Sequence, residues 1–418
     1  MKKHRAESKK RAAMVTVLLI LLVALLTLLL ALCLAGQAGA ADFSSIYNSY
    51  DQERRHLIEV VETQLNLLDT SSVAAYLQNL QAELREELGP FDLKQMVVAP
   101  EGRRQFDLPS LLRRLASGLT REITHNTRLL GQLVLLAVFS ALLKALASAL
   151  PNPGAAETAF ILVFITLFYL SLQSFRTAVG LAEEAVESMV GFMHAILPLM
   201  LTMLAAVGGV TTATVFQPLL FITVNTVATL TKNLIFPLIL LSAVLSAVGS
   251  LSKEFPLKQL GGVVRQWSII LLGLLFIIFF GVLTIKGAIA PVSDGLTLKT
   301  IKFFTGTFVP VIGGRMAEAV EVVAGGSMLI KNTIGTFGLL TVFFITALPV
   351  LKICAILLIF RAATAAMEPI SDSRLVEVMV ALSNGLALVL AGVLTVGLMF
   401  FLTLTTLINL GNVTAFIR

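Results

Sequence analysis

Residues 383–408 read SNGLALVLAGVLTVGLMFFLTLTTLI and contain no charged residue. A helix needs about 20 predominantly apolar residues to cross the hydrocarbon core of a bilayer, so this stretch is long enough to span one. Similar apolar stretches lie upstream at approximately 129–150, 157–177, 190–207, 211–231, 233–251, 267–290, 303–313, 324–347 and 349–367. Most reach spanning length, whereas 303–313 is too short unless it continues through the polar residues after it. The pattern predicts an all-α, polytopic helical membrane protein.

The composition of the whole chain agrees with that prediction. Of its 418 residues, 57% are hydrophobic and 13% are charged, and the mean hydropathy is +0.91. A soluble domain carries about 25% charged residues, so this chain has about half the charge it would need to cover a water-facing surface. The composition excludes a soluble enzyme, a disordered tail and a disulfide-stapled secreted domain.

The net charge of +6 is concentrated at the amino terminus. Residues 1–11 hold six Lys and Arg residues against Glu7, a net +5 that leaves +1 for the rest of the chain. No basic face remains to bind nucleic acid. An apolar run over 12–35 and the small residues Ala38 and Ala40 follow, which predicts a signal sequence over 1–40 with cleavage after Ala40. A retained membrane anchor is the alternative, and both deliver the next segment across the membrane.

Residues 41–128 have an ordinary charged composition with apolar residues at helical spacing. Val73, Tyr76, Leu77 and Leu80 form one such stripe. We therefore expect a small extracytoplasmic helical region here, and the first two transmembrane helices over 129–180.

An internal duplication is predicted from the spacing of prolines. Pro198 and Pro310 are 112 residues apart, as are Pro237 and Pro349, and Pro256 and Pro369 are 113 apart. This places one membrane repeat within 181–295 and a second within 296–418. The alternative is that prolines only punctuate helix ends. Whether the repeats run in the same sense or are inverted stays open.

The predicted topology follows from the charges of one loop. Residues 252–266 hold Lys253, Lys258 and Arg265 against Glu254, so this loop is expected in the cytoplasm. Counting back through each apolar stretch as a separate crossing puts 151–156 inside and 42–128 outside, in agreement with the signal sequence.

Candidate functional residues are polar groups inside apolar runs, because such groups are costly in lipid and usually face protein or water. Gln217, Asn225, Asn233 and Lys331 are the candidates for lining a pathway, and helix–helix hydrogen bonding is the alternative. Prolines inside the same runs are candidate helix kinks: Pro198, Pro237, Pro310 and Pro349. The stretch Gly180–Met189 is amphipathic, with three carboxylates on one face that lie at the membrane interface, meet partner subunits or are solvated.

Enzymatic signatures are absent from the sequence. It contains no G-x-S-x-G, H-E-x-x-H or G-x-x-x-x-G-K-[ST] motif. Its two cysteines are far apart and have no metal-binding spacing. We therefore expect no catalytic residues, no cofactor and no metal site.

Three stretches resemble the stage III sporulation protein AE family of endospore-forming bacteria: DLPSLL at 107–112, FMHAILPLM at 192–200 and EPISDSR at 368–374. The resemblance covers nearly the whole chain. It implies a polytopic subunit of a channel or secretion-like complex between mother cell and forespore, needed for forespore development after engulfment. The implied location is the outer forespore membrane, with the amino-terminal segment extracytoplasmic. The implied partners are other sporulation membrane proteins and the lipid bilayer, and a homo-oligomer is left open. The alternative function is a self-sufficient secondary transporter for a small metabolite or ion.

Overall fold

The computed structural model describes residues 61, 63–65, 68–80, 108–149, 154–250, 257–308 and 313–416. Within these ranges the chain is almost entirely helical and contains no strand, which confirms the all-α prediction. Five described helices are long and apolar enough to cross a membrane. A sixth span is formed if Arg113–His125 and Thr127–Leu143, which meet at 47°, are counted together. The predicted signal sequence over 1–40 lies outside the described residues.

The described helices from Leu108 onward are separated by short connections, whereas 29 residues separate the first helix from the second. In chain order they are α1 (Ser71–Gln78), α2 (Leu108–His125), α3 (Thr127–Ala149), α4 (Gly154–Ala206), α5 (Val210–Leu230), a π-helical turn (Thr231–Ile235), α6 (Phe236–Val248), α7 (Leu257–Phe308), α8 (Gly313–Met367) and α9 (Ser373–Phe416). Gly208 has a φ of 102° in the tight turn between α4 and α5, a conformation that glycine adopts without steric cost.

The prediction that each apolar stretch is a separate crossing was wrong. The stretches 157–177 and 190–207 belong to the single helix α4, and 324–347 and 349–367 belong to α8. The physical reason is that the residues between them do not break a helix. Gly180–Met189 contains three Glu and two Ala residues, which form helices readily, and charge alone does not end a helix whose backbone hydrogen bonds are intact. Counting crossings back from 252–266 therefore no longer places 151–156 and 42–128 on particular sides.

The merged helices are much longer than a bilayer is thick. The candidate span Thr158–Ala206 contains 49 residues, which corresponds to about 74 Å at 1.5 Å per residue. The hydrocarbon core is only about 30 Å thick. Part of the bundle therefore extends beyond the hydrocarbon core.

The centre of the bundle is formed by α4, α8 and α9, which pack against one another along much of their length. Glycines let helices of the bundle approach closely. A Cβ on Gly338 of α8 would collide with Ile196 of α4, and one on Gly392 of α9 would lie 2.8 Å from the buried ring of Phe236. Small residues at such crossings let helix backbones approach closely, which strengthens dispersion contacts where lipid supplies no hydrophobic driving force.

The outer helices leave broad apolar surface uncovered. On α7, Ile270, Leu274 and Ile277 are 48%, 49% and 67% exposed, and these positions share one face. Such surface suits lipid or another subunit. The amino-terminal helices dock on the bundle: α1 contacts α4, and α2 packs along α8.

The predicted domain boundaries at 128, 180 and 295 fall inside or at the edge of continuous helices, namely α3, α4 and α7. The duplication stays a prediction. Pro237 lies in the first turn of α6, directly after the π-helical turn, whereas Pro349 lies inside the unbroken α8. Pro256 and Pro310 lie outside the described residues.

Candidate functional site

Lys331 is the most deeply enclosed charged side chain of the described residues. It lies on α8, its side chain is 0% exposed, and its Nζ donates to the carbonyl oxygen of Ile408 at 2.8 Å. The carbonyl oxygen of Leu407 lies 3.5 Å from the same nitrogen. Both acceptors are main-chain groups of α9, and a carbonyl has a second lone pair left after its helical hydrogen bond. Lys331 therefore ties α8 to α9.

This contact depends on close packing of the two backbones. A Cβ on Gly335, one turn after Lys331, would collide with the Ile408 side chain and lie 3.2 Å from Met200 of α4. Since no larger side chain separates the helices here, the Lys331 stem reaches the α9 carbonyls. Ser327, one turn earlier, is also buried and donates to its own helix through the carbonyl of Val323 at 2.9 Å.

A second polar region lies halfway along the bundle, where the π-helical turn joins α5 to α6. Proline has no N–H, so Pro237 cannot donate to the carbonyl of residue 233, and its ring crowds that carbonyl. The wider turn at Thr231–Ile235 accommodates this. Turns of this kind are frequent at functional sites. The predicted kink at Pro237 therefore coincides with a local backbone irregularity.

The π-helical turn carries an ion pair to the neighbouring helix. Lys232 pairs with Glu187 of α4, and their side chains are 35% and 63% exposed. The neighbouring Glu184 is exposed and Glu183 is half-buried. The Oγ1 of Thr231 is buried without a hydrogen-bond partner in the described structure. Carboxylate and ammonium groups thus lie at the same height on two long helices that are otherwise apolar.

Helix α1, which belongs to the segment predicted to be extracytoplasmic, docks beside this polar region. The hydroxyl of Tyr76 donates to the carbonyl oxygen of Ser188, and its ring lies 5.8 Å from that of Phe192, centroid to centroid. Gly191 leaves room for that ring, since a Cβ there would lie 2.8 Å from Tyr76 Cε2. Burial raises the pKa of Tyr76 to about 12, so the hydroxyl stays protonated and able to donate.

The four predicted pathway residues do not form one cluster. Gln217 and Asn225 on α5 and Asn233 in the π-helical turn are exposed, whereas Lys331 is enclosed between α8 and α9. Pro198 and Pro349 lie within the continuous helices α4 and α8.

Sequence reasoning missed three contacts of the bundle. These are the Glu187–Lys232 pair, the docking of Tyr76 on α4, and a hydrogen bond from Arg361 of α8 to Asn384 of α9 at 2.8 Å. The sequence indicates that Lys232 and Arg361 need partners, because a charged residue inside an apolar stretch requires one. Within the described residues, no group of three or more His, Cys, Asp or Glu side chains could hold a metal ion.

Comparison with known proteins supplies the family. The model of the family described as stage III sporulation protein AE matches residues 91–411. The chain belongs to this family. It is similar to the stage III sporulation protein AE of Bacillus subtilis (strain 168), with 32% identity over 387 residues that cover 93% of this chain and 97% of that protein. No solved structure matches the chain.

Family membership confirms the resemblance seen in the sequence and identifies a sporulation protein whose apolar helices are those of a membrane protein. The family is named for a developmental stage and not for a reaction.

Proposed function

We propose that the chain is a membrane subunit of a channel or secretion-like complex that links mother cell and forespore. It acts in the outer forespore membrane, with its amino-terminal segment extracytoplasmic, and is needed for forespore development after engulfment. Its partners are other sporulation membrane proteins. Membership of a stage III sporulation family supports the developmental role.

One structural observation supports a role in an assembly. Glu184 and Glu187 are exposed halfway along α4, between the apolar segments 158–175 and 188–206. Carboxylates facing lipid would be costly, so residues of this kind face water or another protein. Together with the uncovered apolar face of α7, they favour a chain that completes its surface by binding further subunits.

Deletion of the gene tests the developmental role. We expect development to arrest after engulfment and to resume when the intact chain is supplied from another locus. Normal spore yield from a clean deletion would remove the proposal.

Photo-crosslinking tests the assembly. A crosslinking residue at Glu184 should join the chain to another membrane protein in sporulating cells, or to a second copy. The same residue at the buried Ser171 of α4 is the control and should give no adduct. If Glu184 gives no adduct, and the purified chain alone moves a small solute across vesicles, the secondary transporter is the better description.

A further inference from the structure

Helix α5 is long enough to cross a bilayer and carries no charge. Its 21 residues, Val210–Leu230, contain no Asp, Glu, Lys or Arg, and they rise about 31 Å at 1.5 Å per residue. One face holds the buried residues Phe216, Leu220, Val224 and Val227, spaced three and four apart. Helices α4 and α7 pack against α5. The opposite face of α5 is exposed.

This exposed face of α5 forms a polar stripe. Its positions recur every three or four residues and therefore lie in one line along the helix. The residues of the polar stripe, all exposed, are Thr211, Thr214, Pro218, Ile222, Asn225 and Thr229. Ile222 is the one large aliphatic residue among them. By contrast, α7 exposes the apolar side chains of Ile270, Leu274 and Ile277, which require no polar partner.

The polar stripe contains groups that the chain itself does not satisfy. Thr214 needs no outside partner, since its Oγ1 donates to the carbonyl oxygen of Val210 at 2.9 Å. Asn225, and Gln217 at the edge of the stripe, form no hydrogen bond with any described residue. Pro218 has no N–H to donate to the carbonyl of Thr214, one turn earlier. Unpaired groups of this kind are costly in lipid, so the stripe requires a polar neighbour.

The chemistry of the polar stripe is complementary to itself. A carboxamide both donates and accepts, so two identical asparagines can satisfy each other across an interface. The stripe carries no charge, so two copies of it do not repel each other. Copies inserted by the same signals share one orientation in the membrane. A two-fold axis along the membrane normal therefore brings residues of equal depth together, and a second copy of the chain offers each group its own counterpart.

We propose that the polar stripe of α5 is the contact between two copies of this chain in the membrane, with Asn225 hydrogen-bonded to Asn225 of the second copy. Ile222, one turn earlier, packs against Ile222 of the second copy. Interhelical hydrogen bonds and van der Waals packing are the forces that associate membrane helices. A single asparagine at a helix contact also fixes the register, as it does in dimeric coiled coils. This contact between like copies is independent of the contacts proposed above with other sporulation membrane proteins.

Disulfide crosslinking at two matched positions tests the contact. Cys33 and Cys354 are first replaced by alanine in the full-length chain, and the purified protein is reconstituted into vesicles. Ile222→Cys keeps Asn225 in place and should form an intermolecular disulfide under mild oxidation, seen as a dimer on a non-reducing gel. Ile277→Cys on α7 is the control, because Ile277 is 67% exposed and Ile222 is 64% exposed. The control should give only the background of random collisions.

Substitution of Asn225 tests the carboxamide. Asn225→Leu should weaken self-association about tenfold, the effect of losing one interhelical hydrogen bond in a membrane. Asn225→Gln keeps a carboxamide and should retain most of the dimer. Energy transfer between labelled copies at decreasing protein-to-lipid ratios measures both. Far-ultraviolet circular dichroism should be unchanged in both variants, since Asn225 is exposed and bonds to no described residue.

Three results would overturn the proposal. The first is an equal yield of dimer from Ile222→Cys and Ile277→Cys, and the second is unchanged self-association of Asn225→Leu. The third is a photo-crosslinking residue at Ile222 that, in sporulating cells, joins only to a different membrane protein. That result would assign the polar stripe to another subunit.

Discussion

The ammonium group of Lys331 lies 2.8 Å from the carbonyl oxygen of Ile408, in a position closed to solvent. Two residues 77 positions apart in the sequence thereby join α8 to the carboxyl-terminal half of α9. In the described structure the polar atoms bonded to this ammonium are main-chain carbonyls, so the contact is made without a carboxylate.

This arrangement predicts different effects for two substitutions of Lys331. Lys331→Met keeps the shape of the side chain and should change the free energy of unfolding by about 1 kcal/mol or less, since apolar replacement of a buried polar contact is often nearly neutral. Lys331→Glu places a carboxylate against two carbonyl oxygens and should cost about 3 kcal/mol or more. Thermal unfolding in detergent measures both. Equal stability of the two variants would show that the side chain is not enclosed as described.

The close approach of α9 to α6 predicts a cost for Gly392→Ala. The added methyl group would lie 2.8 Å from Cε1 of Phe236, whose ring is fully buried and has little room to move. Overpacking of this kind costs about 1–3 kcal/mol. Gly273→Ala on α7 is the control, because its Cβ would meet nothing within 4 Å. That substitution should stabilise the chain by about 0.5–1 kcal/mol through helix propensity. Equal melting temperatures for the two variants would contradict the packing.

The docking of α1 on α4 predicts that Gly191→Ala loosens residues 71–78. The new methyl group would lie 2.8 Å from the Tyr76 ring and displace it from Phe192. Amide hydrogen exchange over 71–78 should become faster by about tenfold, since a loss of about 1.4 kcal/mol in docking corresponds to that factor. Gly180→Ala lies on the same helix with nothing within 4 Å of its Cβ, and should leave this exchange unchanged.

The raised pKa of Tyr76 predicts a pH limit for the same contact. Burial raises this pKa to about 12, above the value of about 10 for an unfolded tyrosine. The stabilisation of the folded chain by the hydrogen bond from Tyr76 to Ser188 is therefore fully present below about pH 10. It is lost as the pH rises through 12, because the phenolate can no longer donate. Absorbance titration of the intact chain and of Tyr76→Phe should differ by one ionisation near pH 12. A difference near pH 10 would show that Tyr76 is not buried against α4.

Much of the fold was predictable because it depends on local composition. The helical content and the membrane class follow from long apolar runs such as 383–408. In lipid, a helix satisfies all the backbone hydrogen bonds of such a run within the run itself. Polar residues inside those runs, Lys331 among them, were also recognisable, since each is expensive wherever lipid or an apolar core surrounds it.

The number and length of the helices were not predictable in the same way. Glu183, Glu184 and Glu187 look like a boundary between two spans, yet the chain continues through them as α4. A helix ends where backbone hydrogen bonds can no longer continue, and a group of charges does not by itself interrupt them. At Pro237 one missing N–H does alter the backbone, because it produces the wider turn before it. The helical segment nevertheless continues into α6.

The sequence by itself therefore determined that the chain forms apolar helices, which polar groups lie within them, and to which family the chain belongs. Only the tertiary structure decided the partners of those groups. Lys331 meets Ile408, Glu187 meets Lys232, and Arg361 meets Asn384. At the first of these contacts, Gly335 lets α8 and α9 approach closely. Such pairings depend on interhelical packing between distant segments, and neither composition nor periodicity within one segment carries that information.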